Sequence, residues 1–394
     1  MKTPRLILLL YLLAYLCTVA AAPPLQGSVT DMAVFYTFGA EITFQARIES
    51  SEAIQTVYLV LQPAGDPPHL FQIPFSPQGE ILFERNVAEL GLRPFAQIDY
   101  SYQIITVSGA EFHSPTAQFH YDDNRIEWQT LQNDVFIVHW QNGDLEFGQK
   151  LLNASMAGLQ KAQTFLSIEP TTPLRLFVYP SAAELKNALN MPQEFWAAGH
   201  ASPDLGVLLV SISPSASASY EMERQIPHEI THILLYQQTN VGYANLPIWL
   251  NEGLASQAEL YPNPDYRRAL SRATAEHNLL PFTSLCQSFP RDASSAFLAY
   301  AQSASFTEFL HQKFGSSGIN HLITQYQDGK DCQAGVQAAF GTSLSQLQTQ
   351  WERETLGSDP IALLWLRIRP FVILGLLILV PSLIMNLSRK QGLL

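Results

Sequence analysis

Residues 225–236, Gln-Ile-Pro-His-Glu-Ile-Thr-His-Ile-Leu-Leu-Tyr, decide how the larger part of this chain folds. They contain the pattern H-E-x-x-H at His228, Glu229 and His232. Residues four apart lie on the same face of a helix, so the two imidazoles can bind one zinc ion. Glu229 can then take a proton from water bound to that ion. Pro227 is compatible with this helix if it lies in the first turn, where its missing N–H costs nothing.

A second stretch, residues 246–259, offers the third ligand that a catalytic zinc needs, because such a site has three protein ligands and one position for water. The gap from the first stretch is long enough for one helix to end and another to begin. Pro247 and Asn251 suit the start of that second helix. On it, Glu252 and Glu259 point to the same side. Glu252 can therefore bind zinc, and Glu259 can accept the free N–H of a ligating histidine as an outer partner. Asn251 is the second candidate for such an outer partner.

These two stretches resemble the gluzincin metallopeptidases, and more closely the bacterial peptidase MA-like domains, over roughly residues 125–357. The resemblance implies that His228, His232 and Glu252 bind one zinc ion per chain and that Glu229 is the catalytic base. The glycine- and methionine-rich substrate motif of the aminopeptidases is missing from the sequence. This absence argues against aminopeptidase specificity, so endopeptidase activity is the first hypothesis and aminopeptidase activity the alternative.

The same resemblance implies two further features of the active site. In gluzincins the strand before the zinc helix is a sheet edge beside the cleft, which can pair with a substrate peptide. An ordinary core strand is the alternative. Gluzincins also stabilise the reaction's oxyanion with a tyrosine or histidine from the downstream lobe, for which Tyr300 is the candidate. A tyrosine of the core is the alternative there. The candidate edge residues are Val207, Leu208, Leu209 and Val210.

Both ends of the chain have the composition of membrane-targeting segments. Residues 1–22 combine a positive start, an apolar run and small residues, which is typical of a signal peptide; an uncleaved anchor is the alternative. Residues 370–387 carry no charge and are just long enough for a transmembrane helix. A tether, residues 358–369, would precede this helix, and a cytoplasmic tail, residues 388–394, would follow it. We therefore expect a single-pass protein of the cell membrane with its main body outside the cell.

Charge and cysteine content fit this location. The formal net charge of -12 repels the negatively charged backbone of nucleic acids, so no nucleic-acid partner is expected. Outside the signal segment the chain has two cysteines, Cys286 and Cys332, an even pair for an oxidising compartment. They form one disulfide or remain as two free buried thiols.

The expected fold class is therefore multidomain. Residues 23–124 show about seven short strands with turn residues between them, which indicates an all-β immunoglobulin-like or fibronectin-like sandwich whose partner is unknown. Residues 125–357 indicate an α+β gluzincin-like domain with a helical C-terminal lobe. The function hypothesis is a membrane-anchored zinc metallopeptidase that hydrolyses peptide or protein substrates with a zinc-bound water activated by Glu229. The alternatives are an inactive cell-surface scaffold and an aminopeptidase.

Overall fold

A computed structural model of the chain describes residues 27–189, 199–357, 368–371 and 373. The chain divides into two compact units, Met1–Glu127 and Trp128–Leu394. Within the described ranges, no helix is both long and apolar enough to cross a bilayer. Several predicted segments lie outside those ranges: the signal peptide, the cytoplasmic tail, most of the tether, and the transmembrane helix apart from residues 370, 371 and 373.

The first unit consists of two antiparallel sheets. One has the strand order β1-β2-β5, and the other has the order β4-β3-β6-β7 with β8 also paired to β6. The elements are β1 Gly27–Tyr36, β2 Glu41–Ser50, β3 Ile54–Pro63, β4 His69–Ile73, β5 Glu80–Asn86, helix α1 Val87–Leu90, β6 Gln97–Thr106, β7 Glu111–His113 and β8 Ala117–His120.

The core of the first unit lies between its two sheets. Every second residue of β6 is buried, as expected for a strand with one face toward a core. The ring of Phe44 from β2 lies 5.6 Å from that of Tyr100 in β6 and 6.3 Å from that of Phe119 in β8. The inner faces of the two sheets therefore pack against each other as a sandwich, and an immunoglobulin-like arrangement of the strands stays a prediction.

The second unit combines a five-stranded sheet, in the order β12-β13-β11-β10-β9, with a set of helices. Strands β10, β11 and β13 are parallel, and β9 and β12 run antiparallel to their neighbours. The elements are β9 Gln129–Gln132, β10 Phe136–Trp140, α2 Leu145–Ala162, β11 Leu174–Tyr179, α3 Ala182–Ala188, β12 Gly199–Ser202, β13 Val207–Ser211, α4 Ala218–Thr239, α5 Ile248–Ala258, α6 Pro264–Glu276, α7 Ala293–Gln327, α8 Cys332–Phe340 and α9 Leu344–Glu354.

The prediction that Val207–Val210 forms a sheet edge is wrong. Strand β13 lies between β11 and β12, and the side chains of all four residues are completely buried. A strand covered on both faces and both sides has an unbroken apolar sequence, which is what residues 207–210 show. The outermost described strand on this side is β12, whose sequence Gly-His-Ala-Ser has no apolar alternation that would predict a strand.

The expected place of Pro227 in a first helical turn is also wrong. Helix α4 begins at Ala218, so Pro227 is its tenth residue and is buried. Its ring faces α2 at Gly158, where an added Cβ would lie 2.7 Å from Pro227 Cγ. Helix α5 approaches α7 just as closely, because a Cβ on Gly253 would lie 2.6 Å from the backbone oxygen of Ser303. Glycine at these two positions lets the helices of the site pack tightly.

A disulfide joins Cys286 to Cys332, with 5.9 Å between the two Cα atoms. It supports the beginning of α5. The N–H of Ile248, the first residue of that helix, donates to the Cys286 carbonyl over 2.9 Å. The indole N–H of Trp249 points to the sulfur of Cys332 at 3.4 Å. The crosslink thus braces the helix that carries Glu252.

Replacing both cysteines by serine is expected to lower the free energy of unfolding by about 4 kcal/mol. The two residues are 46 positions apart, and a crosslink over such a loop removes this much chain entropy from the unfolded state. Denaturant unfolding monitored by circular dichroism measures the loss. Reducing agent should shift the parent to the midpoint of the double variant and leave the variant unchanged. Equal midpoints for the reduced and oxidised parent would contradict the prediction.

Candidate metal centre

Two helices bring three potential metal ligands together. His228 and His232 lie one turn apart on α4, with 5.0 Å between their ring centres, and Glu252 comes from α5. The Oε2 atom of Glu252 lies 3.3 Å from Nε2 of His228 and 3.9 Å from Nε2 of His232. The three side chains each offer one ligand atom within 4.8 Å of the others, so they form a compact tripod.

The Nδ1 atom of each imidazole is hydrogen-bonded to an acceptor in or directly after α5, the helix that carries Glu252. Nδ1 of His228 donates to Oε1 of Glu259 over 3.2 Å, and Nδ1 of His232 donates to Oδ1 of Asn251 over 3.0 Å. Both acceptors were predicted as outer partners, but Glu259 lies one residue beyond the end of α5 rather than on the helix. These bonds turn the two Nε2 atoms toward Glu252.

The donor set and its spacing fit a zinc ion. Two imidazoles and one carboxylate are a ligand set of catalytic zinc sites. Tetrahedral zinc with bonds of about 2.0–2.2 Å needs ligand atoms roughly 3.4 Å apart. The separations of 3.3 and 3.9 Å between Glu252 and the two imidazoles are close to this value. The residues of this cluster can therefore hold one such ion with little movement.

Neighbouring carboxylates strongly favour the protonated form of His228. Burial lowers the pKa of this imidazole, but the hydrogen bonds to Glu252 and Glu259 outweigh burial and raise the pKa to about 10. For the carboxyl of Glu252 the net shift of the pKa is downward. Burial raises its pKa, whereas the charges of His232 and His228 lower it below its ordinary value. A metal that binds here has to displace the proton of His228.

Glu229 lies beside the tripod without belonging to it. It is 8 % exposed, and its carboxylate accepts a hydrogen bond from the backbone N–H of Ala201 in β12. A Cβ at Gly199 would lie 2.6 Å from Oε1 of Glu229, so a side chain at this position would displace the carboxylate. Burial raises the pKa of Glu229 despite the attraction of the two histidines. A raised pKa makes this carboxylate a better proton acceptor near neutral pH.

Two tyrosines from different segments lie close enough to the site for the charges of Glu252 and Glu229 to act on their hydroxyls. Tyr300 of α7 is half-buried with its ring 4.9 Å from Phe289. Burial, followed by the charge of Glu252, raises its pKa far above the ordinary range. Burial likewise raises the pKa of Tyr243, to about 12. Both hydroxyls therefore keep their protons at neutral pH and can donate hydrogen bonds.

Sequence reasoning missed three contributors to this site. Tyr243 lies in the 3-10 turn Asn240–Asn245, and its hydroxyl accepts from Nδ2 of Asn251 over 2.9 Å, which orients the amide that holds His232. Arg224 places Nε 3.6 Å from Oε2 of Glu259. It is four residues before His228, a spacing that could have indicated it. The N–H of Ala201 could not have been found, since a backbone donor has no sequence signal.

The sequence profile of the Peptidase MA superfamily matches residues 154–356, just over half of the chain. The chain belongs to the Peptidase MA superfamily. The matched segment contains all three tripod residues and Glu229, and the second unit has a gluzincin-like peptidase fold. No curated protein is similar enough to the chain to count as a relative.

Two solved structures illustrate how far the likeness extends. An M1 zinc metallopeptidase from Deinococcus radiodurans is 12% identical and aligns over 82% of this chain and 92% of its own, with a TM-score of 0.37. Wild-type OgpA from Akkermansia muciniphila is 20% identical over 24% of this chain, with a TM-score of 0.21. The chain spans only about a quarter of OgpA, 27% of its length. The family assignment rests on residues 154–356.

Proposed function

We propose that this member of the Peptidase MA superfamily is a zinc-dependent peptidase that hydrolyses peptide bonds with Glu229 as the general base. The observation that supports this most directly is the convergence of His228, His232 and Glu252 within 4.8 Å, next to a buried carboxylate that is not one of the three. An inert structural metal site needs no such additional base. The retained Glu229 thus favours catalysis over a purely structural role.

The metal would be held by Nε2 of each histidine and a carboxylate oxygen of Glu252. When bound, zinc makes water more acidic and polarises the substrate carbonyl. Glu229 receives the proton of the attacking water and later delivers it to the leaving amine. Its burial and its raised pKa suit it to both transfers, because it can take the proton and give it up again.

The remaining parts of the site would bind the substrate and its developing charge. The bond from Ala201 to Glu229 places strand β12 beside the carboxylate, so an extended peptide alongside this strand would reach the reacting groups. Tyr300 and Tyr243 are the protonated donors that sense the charges of Glu229 and Glu252. One of them would donate to the oxyanion of the tetrahedral intermediate.

We further propose that the protein is anchored on the outer face of the cell membrane with its main body outside the cell. The apolar ends of the sequence support this location. The disulfide between Cys286 and Cys332 supports it as well, since such bonds persist in oxidising compartments.

The purified full-length chain is expected to bind one zinc and to cleave peptides only in the zinc-loaded form. Removing the metal with a chelator should abolish cleavage, zinc should restore it, and Mg²⁺ should not, because imidazoles are poor ligands for magnesium. A peptide library with free and blocked amino termini, analysed by mass spectrometry, measures activity and separates endopeptidase from aminopeptidase. A chain that holds zinc but cleaves none of these peptides would support the scaffold alternative.

A further inference from the structure

A proline stands inside the helix that carries both histidines. Pro227 has no N–H, so it cannot donate to the carbonyl of Glu223 four residues earlier. A proline ring inside a helix also crowds the carbonyl at that position. A proline at such a position destabilises a helix relative to alanine. Its presence directly before His228 therefore calls for a compensating interaction.

The carbonyl that Pro227 leaves free has another partner. The backbone N–H of Leu260 donates to the oxygen of Glu223 over 2.8 Å. Leu260 is the second residue after the end of α5, the helix that carries Glu252. This hydrogen bond thus links the segment after α5 to the middle of α4, at the place where Pro227 interrupts the hydrogen bonding of that helix.

The tied segment contains Glu259, the residue that holds His228. Glu259 has left the helix, with φ -54° and ψ 127°, so the helical hydrogen bonds of α5 do not fix its position. It is only 5 % exposed, and its two oxygens lie 3.2 Å from Nδ1 of His228 and 3.6 Å from Nε of Arg224. The backbone anchor at Glu223 and both side-chain partners belong to one short stretch of α4.

We propose that Pro227 is a positioning residue of the metal centre. By freeing the Glu223 carbonyl, it lets the segment after α5 dock on α4 and sets Glu259 against Nδ1 of His228. That contact orients the imidazole and increases its basicity as a ligand. This inference rests on the proposed metal-binding function of the site, and adds to it a residue whose own side chain touches neither metal nor substrate.

Replacing Pro227 by alanine separates this role from simple packing. Alanine restores an N–H that competes for the Glu223 carbonyl, so Leu260 loses its anchor and Glu259 moves away from His228. Zinc affinity is expected to fall about 10- to 100-fold, the usual effect of losing an outer partner. The unfolding temperature of the chelator-treated variant should not fall, because alanine is the better helix former. A residue that only filled space would lower stability and affinity together.

The experiment measures zinc affinity by competition with a chromophoric chelator, and unfolding by circular dichroism, in the full-length parent and its variants. Glu259→Gln should lose affinity to a similar extent. The double variant Pro227→Ala/Glu259→Gln should lose no more zinc affinity than the weaker-binding of the two single variants, because both substitutions act through one contact. Ile226→Val, which trims the buried neighbour of Pro227 without adding an N–H, should bind zinc like the parent.

The same hydrogen bond can also be tested by changing its donor, the backbone N–H of Leu260. Leu260→Pro removes the N–H, and the extended backbone of Glu259 is compatible with a following proline. This variant should resemble Pro227→Ala in zinc affinity, whereas Leu260→Ala keeps the N–H and should bind zinc like the parent.

The outcomes for the two proposals are distinct. Parent-like affinity in Pro227→Ala, or losses that multiply in the double variant, would overturn the positioning role and leave the proposed function intact. A parent that binds no zinc would overturn the proposed function. The positioning role would then be decided by the Nδ1 proton resonance of His228 in the metal-free chain, which should shift in Pro227→Ala and not in Ile226→Val.

Discussion

Glu229→Gln is expected to lower kcat for peptide hydrolysis by about 100- to 10,000-fold while the chain keeps its fold and its zinc. The amide has nearly the shape of the carboxylate and can still accept from Ala201, but it cannot take up a proton. The ligand atoms belong to His228, His232 and Glu252, so metal binding does not need Glu229. Burial disfavours the charged carboxylate, so the neutral amide should leave thermal stability equal or higher.

Steady-state kinetics, zinc content and thermal unfolding together test this prediction. The matched control is Glu221→Gln on the same helix, whose side chain accepts from Ser217 at the helix start, away from the tripod. Excess zinc should not restore activity to Glu229→Gln. Full activity in that variant would end the proposed mechanism, and loss of zinc from it would make Glu229 a ligand instead of a base.

Glu252→Gln is expected to weaken zinc binding by more than the roughly 10- to 100-fold that is typical of an outer partner, because it weakens one of the three proposed direct ligands. The amide keeps the volume of Glu252 but loses its charge, and a neutral oxygen is a poorer zinc ligand. When zinc is limiting, the peptidase activity of Glu252→Gln should fall with the fraction of sites that hold zinc. In contrast to Glu229→Gln, excess zinc should restore part of it.

Zinc content after dialysis and a competition titration measure the loss in Glu252→Gln. Glu276→Gln is a suitable control, since this exposed residue of α6 pairs with Arg272 away from the site and should bind zinc normally. Parent-like affinity in Glu252→Gln would mean that the tripod is not the metal site. The hydrolase proposal would then fail with it.

Much of the site follows from spacing along the chain. His228 and His232 share a helix face by their four-residue separation, and Asn251 and Glu252 lie near the start of a second helix that Pro247 directly precedes. Such local patterns depend on helix geometry alone. The resemblance to the gluzincins then pointed to the same three ligand side chains that the structure brings together.

Features that depend on contacts between distant segments could not be predicted. Residues 207–210 read equally well as an edge or as an interior strand, and the short strand β12 that covers them has no sequence pattern of its own. Pro227 reads as a helix start, because proline is common there. Its real position, ten residues into α4, is tolerated where Leu260 takes the carbonyl that the proline cannot use.

The amino-acid sequence by itself determined the candidate ligand types, the carboxylate of Glu229 beside them and the helices that carry them, since side-chain chemistry and helical periodicity are local properties. Only the tertiary structure decided which strand faces Glu229, how Glu259 reaches His228 and where Tyr243 and Arg224 act. These are contacts of backbone groups and side chains far apart in the chain. Packing, not periodicity, determines which of them meet.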